Sequence, residues 1–410
     1  MKIFLFTVFT LLLSPSFYAQ VSGCTDLLSQ NYNALATVND GSCSYAASVV
    51  SPLLSVSLPD VVSETSGLIQ IDGLVYTLND NADTNLYGID PASGAVIQTI
   101  TLPGVTNTDW EEIAHDEDYI YIGDFGNNLS GNRTDLKIIR VVKSSLTSAT
   151  PVTDVINFSY ADQTNLAPAP PNQTDFDCEA MIIGDDAVYL FTKQWVSQGS
   201  TVYVIPKTPG NHIATPAGTL NAGGLITGAT HLKDKNLVVL CGYSTMLQPF
   251  FYILYDFNGN DFFSGNKRKV TLSLPYHQTE GITTTDGLSY YVSNESFIQQ
   301  PVANNPQKLH TFNLAPYLGY YLLEDILSNE SVLPLISRII LYPNPAQDVV
   351  TIEIGTNNYK TNYSVTDVLG REVASGWLYS ERTQVNVSYL PAGIYNVSIG
   401  KKTHLKLIKK

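Results

Sequence analysis

A phrase of two short strands recurs five times in the middle of this chain, and this repeat constrains the fold more than any other feature. Each copy consists of a polar-to-apolar strand, a turn and a Tyr/Val-rich strand. The copies begin at Thr65, Trp110, Cys178, Thr227 and Thr279. Aligned on their first strands, they are separated by 45, 68, 48 and 53 residues. Propeller blades are roughly 40–50 residues long, so the spacing predicts one blade per copy.

The repeats predict an all-β fold, a five-bladed β-propeller over residues 50–316. Two further strand-like runs follow most copies, which gives four strands per blade. The fifth copy has one clear following strand, and we expect the run Leu53–Pro59 to supply the missing outer strand. That closure leaves no open sheet edge. A six-bladed ring is the alternative, if the 68-residue interval holds two blades.

One repeated position predicts a metal site. The first strand of each blade lines the central channel, so aligned residues there form a ring, consisting of Ser66, Glu111, Glu179, Thr227 and Glu280. Three carboxylates in a narrow channel repel one another, and burial adds a desolvation cost. Because calcium accepts about six to eight oxygen ligands in flexible geometry, we predict one calcium ion on the ring. A ring of hydrated carboxylates without an ion is the alternative.

Residues outside the ring are predicted to be of two kinds. The ends of the second strands and the loops after them open on the same face as the ring. We expect a ligand face there, formed by Asp80, Asp124, Asn127, Arg133, Lys193, Tyr243 and Glu295. Glu112 and Asp116–Asp118 are expected to be solvated acids pointing away from the channel. Packing roles are expected for Trp110, Trp195, His231 and His277.

The ring order Ser-Glu-Glu-Thr-Glu resembles that of the five-bladed calcium-activated nucleotidases, or apyrases, with Thr227 in place of a second Ser. The resemblance implies a calcium cofactor and, as one function, calcium-dependent hydrolysis of a phosphoester or phosphoanhydride. The other function is binding of an extracellular small molecule, glycan or peptide. We favour binding, because Lys193 and Arg133 are the main basic residues available to hold a phosphate. GxSxG, Walker A, CxxC and HExxH motifs are absent.

The N-terminal end is typical of an exported protein. Residues 1–19 have one lysine, an apolar run and a small residue at Ala19, which predicts a secretory signal peptide. Cys24 and Cys43 bracket a short polar segment, and we expect them to form a disulfide. Residues 20–46 resemble a short cysteine-bracketed module of secreted Bacteroidota proteins. That resemblance implies either calcium binding through Asp26 and Asp40 or a disulfide-closed spacer.

The C-terminal end, residues 337–410, has alternating strands separated by turn residues, which predicts a small antiparallel β-sandwich. The motifs "YPNP", "DVLG" and "LPAGIY" stand there in an order that resembles the type A C-terminal sorting domain of the type IX secretion system. The resemblance implies export to the outer surface of a Gram-negative bacterium, with the secretion machinery as partner. Residues 317–336 are predicted to be a helix and linker.

Charge and hydropathy exclude two classes of partner. The net charge is −15, of which residues 1–331 carry −19 and the remainder +4. Binding of nucleic acid or an anionic membrane needs clustered Lys and Arg, which the acidic body lacks. After the signal peptide, no apolar run approaches the roughly 20 residues that a membrane-spanning helix needs.

Overall fold

The computed structural model describes residues 20–80, 83–301, 303–326, 340–353, 361–368, 370–378, 382–399 and 403–410. The predicted signal peptide and residues 327–336 of the predicted linker lie outside the described residues. The chain divides into two compact units, one ending at Gly319 and the other beginning at Tyr320.

The first unit begins with a small module. Its strands β1 (Ser22–Gly23) and β2 (Val38–Asn39) pair in parallel. The predicted disulfide between Cys24 and Cys43 is confirmed, with the two Cα atoms 4.8 Å apart. Two more short strands follow, β3 (Val49–Val50) and β4 (Leu54–Ser57).

In the described part of the first unit, nearly consecutive strands form five four-stranded antiparallel units, which we call sheets. The outer strands of the second and third units also pair and join them into one eight-stranded sheet. The first sheet comprises β5 (Thr65–Ile71), β6 (Leu74–Asn79), β7 (Asn85–Ile89) and β8 (Val96–Thr101). The second comprises β9 (Trp110–His115), β10 (Tyr119–Asp124), β11 (Lys137–Val142) and β12 (Thr153–Tyr160). The third comprises β13 (Asp177–Ile183), β14 (Ala187–Lys193), β15 (Ser200–Pro206) and β16 (Gly210–Leu220).

The fourth sheet comprises β17 (Leu225–Leu232), β18 (Leu237–Tyr243), β19 (Pro249–Tyr255) and β20 (Asn266–Leu272), and β3 pairs with the outer side of β20. The fifth comprises β21 (Thr279–Thr283), β22 (Ser289–Asn294), β25 (Lys308–Asn313) and β4. A minor hairpin of β23 (Phe297–Gln299) and β24 (Ala303–Asn305) lies between β22 and β25.

The five sheets are arranged as a propeller. Their innermost strands contact one another in a closed cycle, in the order β5, β9, β13, β17, β21 and back to β5. Apolar side chains fill the space between neighbouring sheets, for example Phe191 and Leu240 between the third and fourth. The outer strands β12 and β16 also pair in parallel. The predicted all-β propeller is therefore confirmed.

The predicted closing strand is confirmed as well. β4 pairs antiparallel with β25, so that Leu54 lies opposite Thr311 and Ser57 opposite Lys308. Leu58, directly after β4, is buried in the apolar core between the fifth and first sheets. The N-terminal strand thus completes the last sheet of the ring.

We expect loss of β4 to destabilise the propeller strongly. A chain that begins at Asp60 lacks this strand and Leu58, whereas a chain that begins at Ser51 keeps both and serves as the control. Without β4, the outer edge of β25 has unpaired backbone groups, and burial of a leucine side chain alone contributes about 1.5–3 kcal/mol. The shorter chain should melt at least about 5 °C lower. Equal melting temperatures would show that β4 does not close the ring.

Helix α1 (Ala315–Ile326) follows β25, beginning two residues before the predicted start. In the described part of the second unit, seven strands follow: β26 (Ile340–Tyr342), β27 (Val349–Glu353), β28 (Thr361–Thr366), β29 (Glu372–Leu378), β30 (Arg382–Asn386), β31 (Gly393–Ile399) and β32 (Thr403–Lys409). They form two antiparallel sheets, β26-β27-β30 and β29-β28-β31-β32, around an apolar core. The predicted antiparallel sandwich is confirmed.

The "YPNP" motif covers the free edge of the last strand. The Asn344 side chain accepts a hydrogen bond from the Ile408 N–H at 2.9 Å and donates one to the Lys406 carbonyl at 2.7 Å. Next to it, the Ala346 N–H donates to the Ile408 carbonyl. An exposed edge strand is a template for unwanted pairing, and this segment occupies that edge of β32.

The described helical residues include no segment that is both long and apolar enough to cross a membrane.

Candidate functional site

A β-bulge marks the predicted ring position in every one of the five sheets. In the second sheet, Trp110 pairs with Asp124 and Glu112 with Gly123, which leaves Glu111 without an opposite residue. Corresponding register shifts leave out Glu179 and Thr227. In the first and fifth sheets, the register shifts leave two residues without a direct partner on the neighbouring strand, namely Ser66 with Gly67 and Glu280 with Gly281. Because bulges re-aim side chains and recur beside functional sites, the shared irregularity supports a common role for the ring.

The ring lies at the end of the channel where the inner strands begin, which we call the mouth. All five ring residues are buried. Gly126 allows close packing there, since a Cβ atom at this position would lie 2.4 Å from oxygens of both Asp109 and Glu111. Thr227 donates its hydroxyl proton to the Thr279 carbonyl at 2.5 Å, which links the fourth and fifth sheets.

Lys193 supplies the positive charge at the mouth. Its Nζ lies 3.1 Å from Oε1 of Glu179, with both side chains almost fully buried. The same ammonium lies 4.8 Å from the ring centroid of Trp195 and 5.4 Å from that of Tyr243. Burial by itself lowers the pKa of Lys193, but attraction to Glu179 and other anionic neighbours outweighs it and raises the pKa well above its ordinary value.

Lys193 does not balance the carboxylates around it. Burial, and then repulsion from neighbouring acids, raises the pKa of Glu111 and of Glu179 well above the ordinary range. Burial is also the main cause that raises the pKa of Glu280 to about 8. Burial and Asp177 raise the pKa of Asp109 to about 6. The mouth is therefore a buried acidic site with an excess of negative charge.

A second group of acids lies beside the ring. Carboxylate oxygens of Glu64, Asp80 and Glu295 all lie within 4.8 Å of one another. Burial, partly offset by Lys193, raises the pKa of Glu295 to about 7. Within the described part of the chain, the oxygens of this trio are therefore close enough together to hold one metal ion, whereas those of the three ring glutamates lie farther apart. The structure thus places the predicted residues Asp80 and Glu295 together at the mouth.

Glu112 corrects one prediction, because it is completely buried rather than solvated. Its Oε2 accepts a hydrogen bond from the Ala229 N–H across the channel at 2.9 Å, and its Oε1 accepts one from the Ile113 N–H at 3.0 Å. A Cβ atom on Gly67 would lie 2.0 Å from this carboxylate, so glycine is required there. Glu112 therefore spans the channel between non-adjacent sheets.

Asp116 also differs from the prediction. Its carboxylate accepts a hydrogen bond from the Tyr121 hydroxyl at 2.8 Å and forms an ion pair with Lys207 at 3.1 Å. Glu117 and Asp118 are exposed, as expected for solvated acids.

Three predicted ligand-face residues instead organise the loop after β10. Asp124 is fully buried and forms ion pairs with Arg133 and Lys137, each at 2.8 Å. Asn127 is buried too: its N–H donates to Asp177 at 2.5 Å, and its side-chain oxygen accepts from the Arg133 N–H at 3.0 Å. The expectation that Asp124 and Asn127 face a ligand is therefore corrected, since their polar atoms hold the loop.

Several site residues were missed from the sequence, namely Glu64, Asp109 and Asp177. Each stands two positions before a ring residue, and this repeated acidic position is the signal that could have identified them. Asp177 accepts a hydrogen bond from the indole N–H of Trp195 at 2.8 Å. Trp195 thus borders the mouth, whereas Trp110 is fully buried in the core, as expected for packing.

The two histidines expected to be structural each pack against another ring. Burial lowers the pKa of His231 to about 4, and its ring packs against Phe262. His277 packs against His310, whose pKa burial lowers to about 3.

In the N-terminal module, Asp26 serves as an anchor to the propeller. Its Oδ2 accepts hydrogen bonds from the hydroxyls of Tyr45, at 2.7 Å, and of Tyr255 on β19. Asn39 donates to Asp256 at 2.8 Å in the loop after β19. Asp26 therefore has a docking role in this structure, which agrees with the spacer alternative.

Comparison with known proteins identifies the C-terminal segment. Residues 340–410 match the family model described as "Secretion system C-terminal sorting domain". These residues are a C-terminal sorting domain. The sorting domain spans the sandwich described above and indicates export to the cell surface or exterior, with the secretion machinery as a partner. A comparison of the full sequence with curated proteins gave no match.

Solved structures share only low similarity with the chain. One is PorZ, a surface component of the type IX secretion system of Porphyromonas gingivalis, at 13% identity and a TM-score of 0.30, covering 84% of this chain and 45% of PorZ. Another is regucalcin, a calcium-binding protein from Agrobacterium tumefaciens, at 9% identity and a TM-score of 0.34, covering 65% of this chain and 97% of regucalcin. The chain spans less than half the length of PorZ.

Proposed function

We propose that this exported protein is an extracellular binding module whose propeller mouth holds a calcium ion and, around it, a ligand. The observation that carries the proposal is the excess of buried carboxylates at the mouth, three of them at bulged ring positions, against the one ammonium of Lys193. Buried like charges must take up protons, find basic partners or share a cation. Lys193 provides one basic partner, which the sequence did not predict at the ring, and it leaves several carboxylates uncompensated.

The chemistry of the donor set fits calcium, and binding would have to draw together the ring glutamates, which lie farther apart than Glu64, Asp80 and Glu295. Glu111, Glu179 and Glu280 would supply carboxylate oxygens, and Ser66 and Thr227 would supply hydroxyl oxygens. Calcium prefers oxygen ligands of this kind and tolerates irregular geometry. Glu179 would then be shared between the ion and Lys193. Extracellular calcium is abundant enough to occupy even a site with a Kd of about 1 mM.

Binding is better supported than phosphoester hydrolysis. A hydrolase of that class needs basic side chains that can hold a phosphate. Lys193 is ion-paired with Glu179, and Arg133 with Asp124 and Asp135. Both candidate phosphate-binding residues are thus already neutralised by carboxylates.

Thermal melts at pH 7.5 with calcium, magnesium or chelator test the proposal. Calcium at 100 times its Kd stabilises the folded state by about 2.7 kcal/mol, so the melting temperature should rise by roughly 5–10 °C. Glu280→Gln should lose most of this calcium response, yet melt higher than the parent in chelator, because it removes a buried carboxyl that must either take up a proton or be desolvated as an anion. Glu117→Gln, at an exposed acid of a hairpin tip, is the matched control and should respond like the parent. A parent melting temperature that does not change with calcium or chelator would contradict the calcium role.

A further inference from the structure

The loops around the mouth carry exposed apolar side chains in addition to their acids. These loops connect the second strand of each sheet to the third, or the fourth strand to the first strand of the next sheet, and the strand pairing places both sets at the mouth. Val61, in the loop before β5, is 50% exposed. Six further such side chains, in the loops from β10 to β25, are between 47% and 78% exposed. We call them the apolar rim: Leu129, Leu166, Val196, Met246, Tyr276 and Ile298.

The opposite end of the propeller lacks a comparable rim. Its hairpin tips are polar, such as Asp116–Asp118 and Lys233–Lys235. Among the described residues of its loops, Leu53 and Val152 are the large apolar side chains that are exposed, and the N-terminal module docked at this end exposes Leu27, Tyr32 and Leu35. The propeller's own loops thus expose more apolar side chains at the mouth than at the opposite end, and an apolar surface bordered by polar groups indicates an interaction site.

The charge of the mouth restricts what can bind there. Its connecting loops contain nine Asp and Glu residues and one basic residue, Arg133. A cavity of about 220 Å³ joins the two kinds of surface, since it is lined by Leu129 and by the carboxylates of Asp109 and Asp135. A partner that complements this surface carries positive charge next to apolar groups. Nucleic acids and anionic lipids do not.

We propose that the mouth docks a protein segment in which Lys or Arg side chains alternate with apolar residues. The basic side chains would face the acids at the mouth, and the apolar ones would cover the rim. The rim extends over four sheets, which suits a polypeptide segment better than a small molecule. This inference rests on the proposed function in one respect: it takes the mouth as the ligand-binding end.

Fluorescence anisotropy with a labelled twelve-residue peptide of alternating Lys and Leu tests the proposal. A peptide with Ser in place of Leu, and one with Glu in place of Lys, are the control probes. The variant Leu129→Ser/Val196→Ser/Met246→Ser removes half of the rim and keeps every charge. The matched control, Ile97→Ser/Val152→Ser/Ile213→Ser, changes three apolar side chains that are equally exposed elsewhere on the propeller.

We expect saturable binding of the Lys/Leu peptide, weakened about tenfold or more by the rim variant, since each substitution removes apolar area from the contact. The control variant should change binding less than about twofold. The proposal is overturned if the parent does not bind the Lys/Leu peptide, if the Glu/Leu peptide binds as well, or if both variants lose binding equally. Rim-dependent flotation with phosphatidylcholine vesicles would instead show a lipid-contacting surface and also contradict it.

Calcium-dependent melting of the same variants separates this inference from the proposed function. The rim variant should keep the full calcium response, because it leaves all the acids in place. Loss of the calcium response with retained peptide binding would contradict the calcium role alone. Loss of peptide specificity with a retained calcium response would contradict the docking proposal alone.

Discussion

In chelator, the free energy of unfolding should fall as the pH is raised from 7 to 8.5. Burial and repulsion raise the pKa of Glu280 to about 8 and that of Glu295 to about 7, whereas an unfolded glutamate titrates near pH 4.3. Over this range the folded protein still holds protons that the unfolded chain has released. The free energy of unfolding changes with pH in proportion to the protons bound by the unfolded state minus those bound by the folded state. Because the folded state binds more protons here, the free energy of unfolding falls as the pH rises.

Histidines oppose this trend only at lower pH. The lowered pKa values of His231 and His310, about 4 and about 3, make stability rise with pH up to their unfolded value near 6.5. The range from pH 7 to 8.5 therefore excludes the histidines, and near its upper end the buried thiols of Cys178 and Cys241, whose pKa burial raises, act in the same direction as the acids. Among the charged neighbours of Glu280, Lys193 lowers its pKa, and Glu295, Asp80 and Asp177 raise it.

Denaturant unfolding at several pH values, with chelator and with calcium, measures this effect. We expect a loss on the order of a few kcal/mol in chelator, much reduced by calcium because the ion replaces the protons. Glu280→Gln should flatten the chelator profile, and Glu117→Gln should not. A parent profile that is flat or rising between pH 7 and 8.5 in chelator would show that these carboxylates are not buried as protonated acids.

Removal of the sorting domain should abolish surface delivery and leave the propeller folded. A chain that ends at Ser331 keeps the first compact unit and loses the second, which has its own apolar core. Its melting temperature should match that of the propeller transition in the full chain. In the native host it should remain inside the outer membrane, protected from protease added to intact cells.

A chain that lacks residues 20–46 but keeps the sorting domain is the control for this experiment. It should reach the surface, because the deleted module lies outside the sorting domain. If the chain ending at Ser331 became accessible to external protease as fast as the full chain, residues 340–410 would not carry the export signal.

The sequence predicted the repeat positions well, because one strand-turn-strand phrase recurs with nearly constant length. Ser66, Glu111, Glu179, Thr227 and Glu280 all lie at equivalent bulges, and Leu54–Ser57 closes the ring. These features depend on local pattern and on the need to pair sheet edges, both of which can be read along the chain.

The burial of Glu112 and the ion pair between Lys193 and Glu179 could not be predicted in the same way. Regular alternation puts residues 111 and 112 on opposite faces of a strand, but the bulge at Glu111 changes that alternation and leaves both side chains buried. Lys193 meets Glu179 because Asp177 pairs with Lys193 in the register between β13 and β14. Such contacts follow from the exact register of strands, which a repeat pattern alone does not define.

Calorimetric titration of calcium into the full-length protein at pH 7 tests the central claim most directly. It should be run in two buffers that differ in ionisation enthalpy. The account predicts saturable binding whose heat differs between the buffers, because Glu280 and Glu295 hold protons before the ion binds and release them afterwards. The contradicting result is the absence of saturable heat in either buffer, or binding by Glu280→Gln as tight and with as many protons released as in the parent.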